Sequence, residues 1–351
     1  MIEARSVKKL CFIGLVAVLL MAGSYSCSTD IDINADNLET PIVYCILNTS
    51  DTVQYVRLQK TYLIDQAALD YPPHPDSMVF PGEIVVTMER LQNNVVLETY
   101  RFLPTTDIKK DSGFFPTEKH VLYKTNAVIK ANSIYRLYIY LGSKEKVVYA
   151  QTSSLGKLTV VDPMNLPVRK ISLYNGSNFT CRWEPVEDAG LYQVVVRFRY
   201  NENRNGITTS KYINWSQDYI TPGTSDEYLS KDISGARLAH ILDENLVREA
   251  GVVRVVEGVD FQIMSGAIEL KYYMESTAPT EGALMEKPVY TNVINGLGVF
   301  STISEVDVNG LFLSGVSIDS IAYGQYTRDL GFLDHTGDRD STNEPLELEE
   351  Y

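Results

Sequence analysis

From Pro41 onward the chain alternates apolar and polar residues with a period of two: Val56 and Leu58 stand against Tyr55, Arg57 and Gln59, and Ile84, Val86 and Met88 against Thr87 and Glu89. Successive side chains of a strand point to opposite faces, so this pattern suits a sheet with one face in a core, whereas a 3.6-residue helix would scatter the same residues around its axis. The chain is thereby committed mainly to β structure. Asn93-Asn94 lies between two alternating runs within residues 83–101, and Gly142-Ser143 lies within residues 135–149. Both pairs tolerate the positive φ of tight turns and mark β-hairpins. Short strands at hairpin spacing predict β-sandwiches, and 351 residues exceed what one core usually supports, so two are expected.

The first 27 residues say where such a chain works. Arg5, Lys8 and Lys9 precede an apolar run over residues 10–22, followed by Gly23-Ser24-Tyr25-Ser26-Cys27. A basic start, an apolar run too short to span a bilayer and small residues before a cleavage point form a secretory signal. With Cys27 directly after Ser26, the segment resembles a bacterial lipoprotein signal, in which that cysteine is lipidated and becomes the first mature residue. Ser24 stands where that signal usually has an aliphatic residue, a relaxed form found in the Bacteroidota. The competing reading is an ordinary cleavage near Ser24 or Ser26 that leaves Cys27 a plain thiol.

Removing residues 1–26 takes away one acid and three bases, leaving 325 residues with 44 acids against 28 bases, a net charge of −16. Such a surface repels nucleic acid and disfavours that class of partner. Residues 27–40 read as a polar tether; Asp30 and Asp32 within it resemble acidic surface-export signals of Bacteroidota lipoproteins, so the cell surface and the periplasmic face both stay open. Beyond Cys27, Cys45 and Cys181 fall in different expected domains and are read as small buried residues.

The expected first domain spans residues 41–161, with proline-broken loops at Tyr71-Pro72-Pro73-His74-Pro75-Asp76 and Phe114-Phe115-Pro116. The second spans 162–278. There Trp183, Pro185 and Tyr192-Gln193-Val194 resemble the early strands of a fibronectin type III domain, with Tyr192, Val194, Val196, Phe198 and Tyr200 on one face and Trp183 in the core. A helical insertion is expected from the stripe Leu238, Ile241, Leu242 and Leu246, capped by Ser234 and ended by Gly251. Strands are expected again at 252–256 and 268–274. Residues 279–333 read as a C-terminal β extension, and 334–351 as an acidic disordered tail. Within the extension, Asn292 followed by Gly296-Leu297-Gly298-Val299-Phe300 resembles a C-terminal signature of a widespread Bacteroidota outer-membrane lipoprotein family of unknown function. The resemblance implies an immunoglobulin-like domain followed by a fibronectin-like one, and an envelope setting beside outer-membrane receptors for nutrient uptake.

Chemistry is sparse by comparison. The four histidines, His74, His120, His240 and His335, form no His-x-x-x-His pair, so no metal or cofactor is expected. Gly315-Val316-Ser317 lacks the second glycine of a nucleophile elbow, and Ser317 is expected on a surface or in a strand. Gly296 and Gly298 suit a bulge or close backbone approach. Spacing singles out no pair of carboxylates. Among 23 tyrosines and two tryptophans, Trp215 and Tyr219 occupy a polar, turn-like stretch and form the candidate recognition patch. The expectation is a mainly β, non-enzymatic, lipid-anchored outer-membrane lipoprotein built from two immunoglobulin- or fibronectin-like sandwiches, which binds or supports an envelope partner. A glycan-binding surface module and a pilus subunit are the alternatives.

Overall fold

A computed structural model describes residues 39–61, 78–109, 121–164, 166, 168–223, 226–278 and 289–338. The signal over 1–26, the tether as far as residue 38, both proline-broken loops and the tail from 339 onward lie outside the described residues. The fold is mainly β, as the alternation predicts.

The first sandwich uses β1 (Pro41–Asn48), β2 (Val53–Lys60), β3 (Ile84–Gln92), β4 (Val95–Thr105), β5 (Leu122–Asn126), β6 (Ile134–Leu141) and β7 (Lys146–Ser153). β1, β2 and β5 pair antiparallel in one layer, and β4, β3, β6 and β7 in the other. The end of β4 crosses over to pair with β5. Alternate residues meet between the layers, among them Val43, Cys45 and Leu47 from β1, Val86 and Met88 from β3, and Leu137 and Ile139 from β6. Asn93 and Asn94 turn the β3–β4 hairpin at φ 51° and 61°, the geometry expected of them. The β6–β7 hairpin also forms, but its left-handed residue is Glu145 at φ 49°, after a 3-10 turn over Gly142–Lys144.

The second sandwich adds β8 (Val160–Asp162), β9 (Lys170–Ile171), β10 (Asn178–Trp183), β11 (Ala189–Arg204), β12 (Ile207–Ser216), β13 (Leu229–Ser234), α1 (Gly235–Asn245), β14 (Val253–Ala267), α2 (Ile268–Thr277), β16 (Leu297–Leu313) and α3 (Gly315–Tyr323), while the short β15 (Val293–Ile294) before β16 pairs with β7 and places Val293 in the first core. A sheet ordered β12, β11, β14, β16 packs on a smaller one ordered β13, β10, β8. Trp183 is fully buried with its ring 5.8 Å from that of Tyr192, and Tyr192, Val194, Val196, Phe198 and Tyr200 all face this core.

β16 belongs to both sandwiches. Its first half pairs parallel with β1, from Ile42 opposite Leu297 to Asn48 opposite Ile303, and places Phe300 in the first core. Its second half pairs with β14 and places Val308, Leu311 and Leu313 in the second. Residues 279–333 therefore carry the strand that joins the two bodies. Gly298 makes the junction possible: at φ +106° it lies so near β1 that a Cβ would sit 2.0 Å from the Val43 carbonyl oxygen.

Three local expectations are corrected. Residues 268–274 are helical, because the ladder between β11 and β14 ends at Ala189 opposite Ala267. Beyond that point no strand partner remains among the described residues, and Leu270, Tyr273 and Met274 recur at helical spacing. α1 stops at Asn245, with Leu246 already extended and buried, so Gly251 (φ +81°) instead serves the turn into β14. The first five tail residues are folded: the Asp334 carboxylate accepts from the Thr336 amide at 2.8 Å, the Thr336 hydroxyl at 2.7 Å and the Asp338 amide at 2.9 Å.

Just before that turn the chain re-enters the second core. Phe332 packs edge-on to Phe198 and Tyr200, and Arg254 bridges to it through the backbone. The Arg254 guanidinium is almost fully buried, meets Glu202 at 2.9 Å, and donates to the carbonyls of Leu330 and Val247.

Candidate functional site

Two helices and two turns enclose a groove at one side of the second sandwich. The first turn, after β9, carries Tyr174 and Asn175; its Tyr174 carbonyl accepts from the Ser177 amide at 2.9 Å, and the Ser177 carbonyl accepts from Gly235 at 3.0 Å. Gly235 opens α1 because any side chain there would meet the Tyr174 backbone at 2.2 Å. Ser234 caps the helix, its hydroxyl accepting from the Arg237 amide at 3.3 Å. Leu238 and Leu242 then enter the core, which leaves Ala236, Ala239 and His240 on the groove side. Two methyl groups in a row leave the space open.

α3 forms the opposite wall by the same logic. Ser314 caps it, accepting from the Ser317 amide at 3.3 Å. Ser317 is fully buried in its first turn, where its hydroxyl accepts from the Leu173 amide at 2.8 Å. It is thus neither the surface nor the strand residue expected of it. Ile318 and Ile321 pack on the core, while Val316, Asp319, Ser320 and Tyr323, at i, i+3, i+4 and i+7, line the groove. Gly324, Gln325, Tyr326 and Arg328 close its end. The groove, partly open to solvent, has a volume of about 770 Å³.

Four rings line this space, those of Tyr174, His240, Tyr323 and Tyr326, with His240 and Tyr326 only 4.1 Å apart between centroids. The ionic groups are largely occupied. Asp319 holds the His335 ring nitrogen Nδ1 at 2.7 Å and its backbone amide at 3.1 Å. Tyr323 donates from its hydroxyl to Asp334 at 2.8 Å. The Thr336 hydroxyl, the Asp338 amide and Tyr323 together hold the Asp334 carboxyl well below the usual carboxylate range. The Asp319 and Asp334 contacts tie the turn over 334–338 to α3. By contrast, the side chains of Asn175, Ser320 and Gln325 form no hydrogen bond among the described residues.

Asp319 and His335 are arranged as an orienting acid and a base. No hydrogen bond among the described residues joins His335 to Ser314, Ser317 or Ser320. Rings beside uncommitted polar groups in a concave space are the features of a ligand-binding site.

Of the residues singled out in the sequence, Cys27 lies outside the described residues. Trp215 sits in β12 opposite Val196, 9% exposed and part of the second core, so the turn-like setting expected of it is corrected. Tyr219 is 42% exposed beyond the strand end, and the two do not form a shared surface patch. Cys45 and Cys181 are buried; burial raises both thiol pKa values, that of Cys181 to about 12. The groove residues escaped the sequence reading. The available signal was Ser314 before the stripe Ile318, Ile321 and Ala322 with Gly324 after it, a capped helix of helical period.

No protein-family model and no curated protein matches the chain. Among solved structures, it is similar at 10% identity to the C-terminal globular domain of an oligosaccharyltransferase from Pyrococcus abyssi, with a TM-score of 0.24 over 64% of this chain and 46% of that one. A cytokine receptor complex is likewise 10% identical, with a TM-score of 0.20 over 76% of this chain and 96% of that one.

Proposed function

We propose that this chain is a non-enzymatic lipoprotein of the bacterial outer membrane, anchored through Cys27, that binds an envelope partner or ligand at the groove between α1 and α3. The observation that carries the binding role is the groove lining, where four rings stand beside the side chains of Asn175, Ser320 and Gln325, which form no hydrogen bond among the described residues. The basic and apolar opening and Cys27 support the anchor. Two or more acyl chains, each contributing about 0.8 kcal/mol per buried methylene, hold a protein on a membrane durably. The resemblance to Bacteroidota lipoproteins supports a role beside nutrient-uptake receptors.

The test is fractionation of cells fed labelled palmitate, with a photo-cross-linker at Ser320. Label in the outer-membrane fraction, lost in Cys27→Ala, together with a discrete groove cross-link, is the expected result. Absence of label, or a protein fully recovered in the soluble fraction, contradicts the anchor; absence of any cross-link contradicts the binding role.

A second reading, a subunit that assembles by strand addition, is favoured by β4. Residues 95–102 of β4 pair with β3 alone among the described residues, and Val95, Val96 and Leu97 are 58%, 46% and 47% exposed. An apolar open edge invites another strand. Sedimentation of the mature protein as a monomer at all accessible concentrations removes this reading.

A further inference from the structure

We infer that the groove between α1 and α3 takes a neutral oligosaccharide. The inference rests on the binding role proposed above and specifies its ligand. A pyranose ring has a flat face of C–H groups and a rim of hydroxyls, and the lining has a counterpart for each. Tyr174, His240, Tyr323 and Tyr326 offer ring surfaces on which an apolar sugar face stacks. Asn175, Ser320 and Gln325 offer donors and acceptors that bond nothing else among the described residues.

Other ligand classes fit less well. A wholly apolar molecule would strip water from those three side chains and replace none of their hydrogen bonds, a loss for each group left unpaired. An anion would find a single guanidinium, Arg328, with Asp319 in the same lining and a mature chain of net charge −16 around it. A cation would find Asp319 already bonded to His335. Neutral, hydroxyl-rich and amphipathic is the chemistry that remains.

Size points the same way. At about 770 Å³ the cavity lies within the ~300–1,000 Å³ typical of small-molecule sites and exceeds the needs of a single sugar ring. Ala236 and Ala239 line its α1 wall, so a large side chain at either position occupies the ligand's space without removing any lining ring.

The test uses the whole mature protein and the variants Tyr326→Ala and Ala239→Trp, each shown by circular dichroism and thermal midpoint to be folded. All three are applied to an array of neutral and acidic oligosaccharides of bacterial, plant and animal type, and the best neutral ligand is titrated calorimetrically. The expected result is wild-type binding of a neutral oligosaccharide, weakened about tenfold or more by Tyr326→Ala and abolished by Ala239→Trp. Binding of no neutral saccharide, or binding that Ala239→Trp leaves unchanged, overturns the inference. A groove cross-link to an envelope protein that Ala239→Trp abolishes, with no saccharide bound, sinks the saccharide and leaves the binding role standing.

Discussion

Arg254 and Glu202 lie almost entirely out of water, with side-chain exposures of 3% and 4%. Burial acts to raise the Glu202 pKa, but hydrogen bonds from Lys211 and Arg254 outweigh it and leave the carboxyl below the usual glutamate range. A depressed folded value means that the carboxylate stabilises the fold above the ordinary glutamate pKa, and that this contribution fades as pH falls through the lower, folded value. Arg254→Ala removes the cation on one oxygen of the buried Glu202 carboxylate, leaving Lys211 and Arg204 on the other, and frees the carbonyls of Leu330 and Val247. It is expected to cost about 1–3 kcal/mol, read as a lower urea midpoint at neutral pH, with a smaller deficit in acid where Glu202 is protonated. An equal deficit at both pH values contradicts the assignment. Cys45 and Cys181 make a simpler case at the same scale. Burial keeps both as thiols, so neither is expected to react with a thiol reagent in the native protein, and both are expected to react in denaturant.

At the scale of elements, α2 shows how a half-buried acid weighs on a packed helix. Glu269, in its first turn, has its carboxyl pKa raised, chiefly by partial burial, against lowering hydrogen bonds from its own backbone amide and from Thr152. A raised folded value favours the fold below the ordinary glutamate pKa and loses that advantage as pH rises through the folded value. Glu269→Gln, neutral at every pH, is therefore expected to raise stability relative to wild type in alkaline solution more than in acid. Urea midpoints on both sides of the titration check it, and the opposite ordering contradicts it.

The same helix marks where the sequence is legible and where it is not. Strands with one face in a core announce themselves by alternation, and β1, β2, β3 and β11 were readable for that reason. So was α1, whose cap and leucine stripe are local. Residues 268–274 carry both periods at once, and only the end of the β11–β14 ladder decides between them. The groove was hidden for a related reason. Tyr174, His240 and Tyr323 are far apart in sequence, and nothing local signals that Gly235 brings α1 onto the Tyr174 backbone. Trp215 misled because its polar neighbours are the outward residues of β12, whose inward residues are Ile213 and Trp215 itself.

At the scale of the whole molecule, β16 couples the two sandwiches through one continuous backbone. Both tryptophans, Trp183 and Trp215, lie in the second core, whereas Gly298 packs on β1 in the first layer. Gly298→Val is thus expected to destabilise by more than about 1 kcal/mol through its φ and the contact with Val43. Tryptophan emission should report that loss at the same urea midpoint as circular dichroism. An emission midpoint left at the wild-type value, beside an earlier transition by circular dichroism, means that the sandwiches unfold separately.

The functional account depends on the molecule being held at a membrane by its amino terminus. Mass spectrometry of the protein purified from its own cells tests this most directly. The account predicts a chain that begins at Cys27 and carries acyl chains. An intact residue 1–26 segment, or a free Cys27 thiol on a soluble chain, contradicts it.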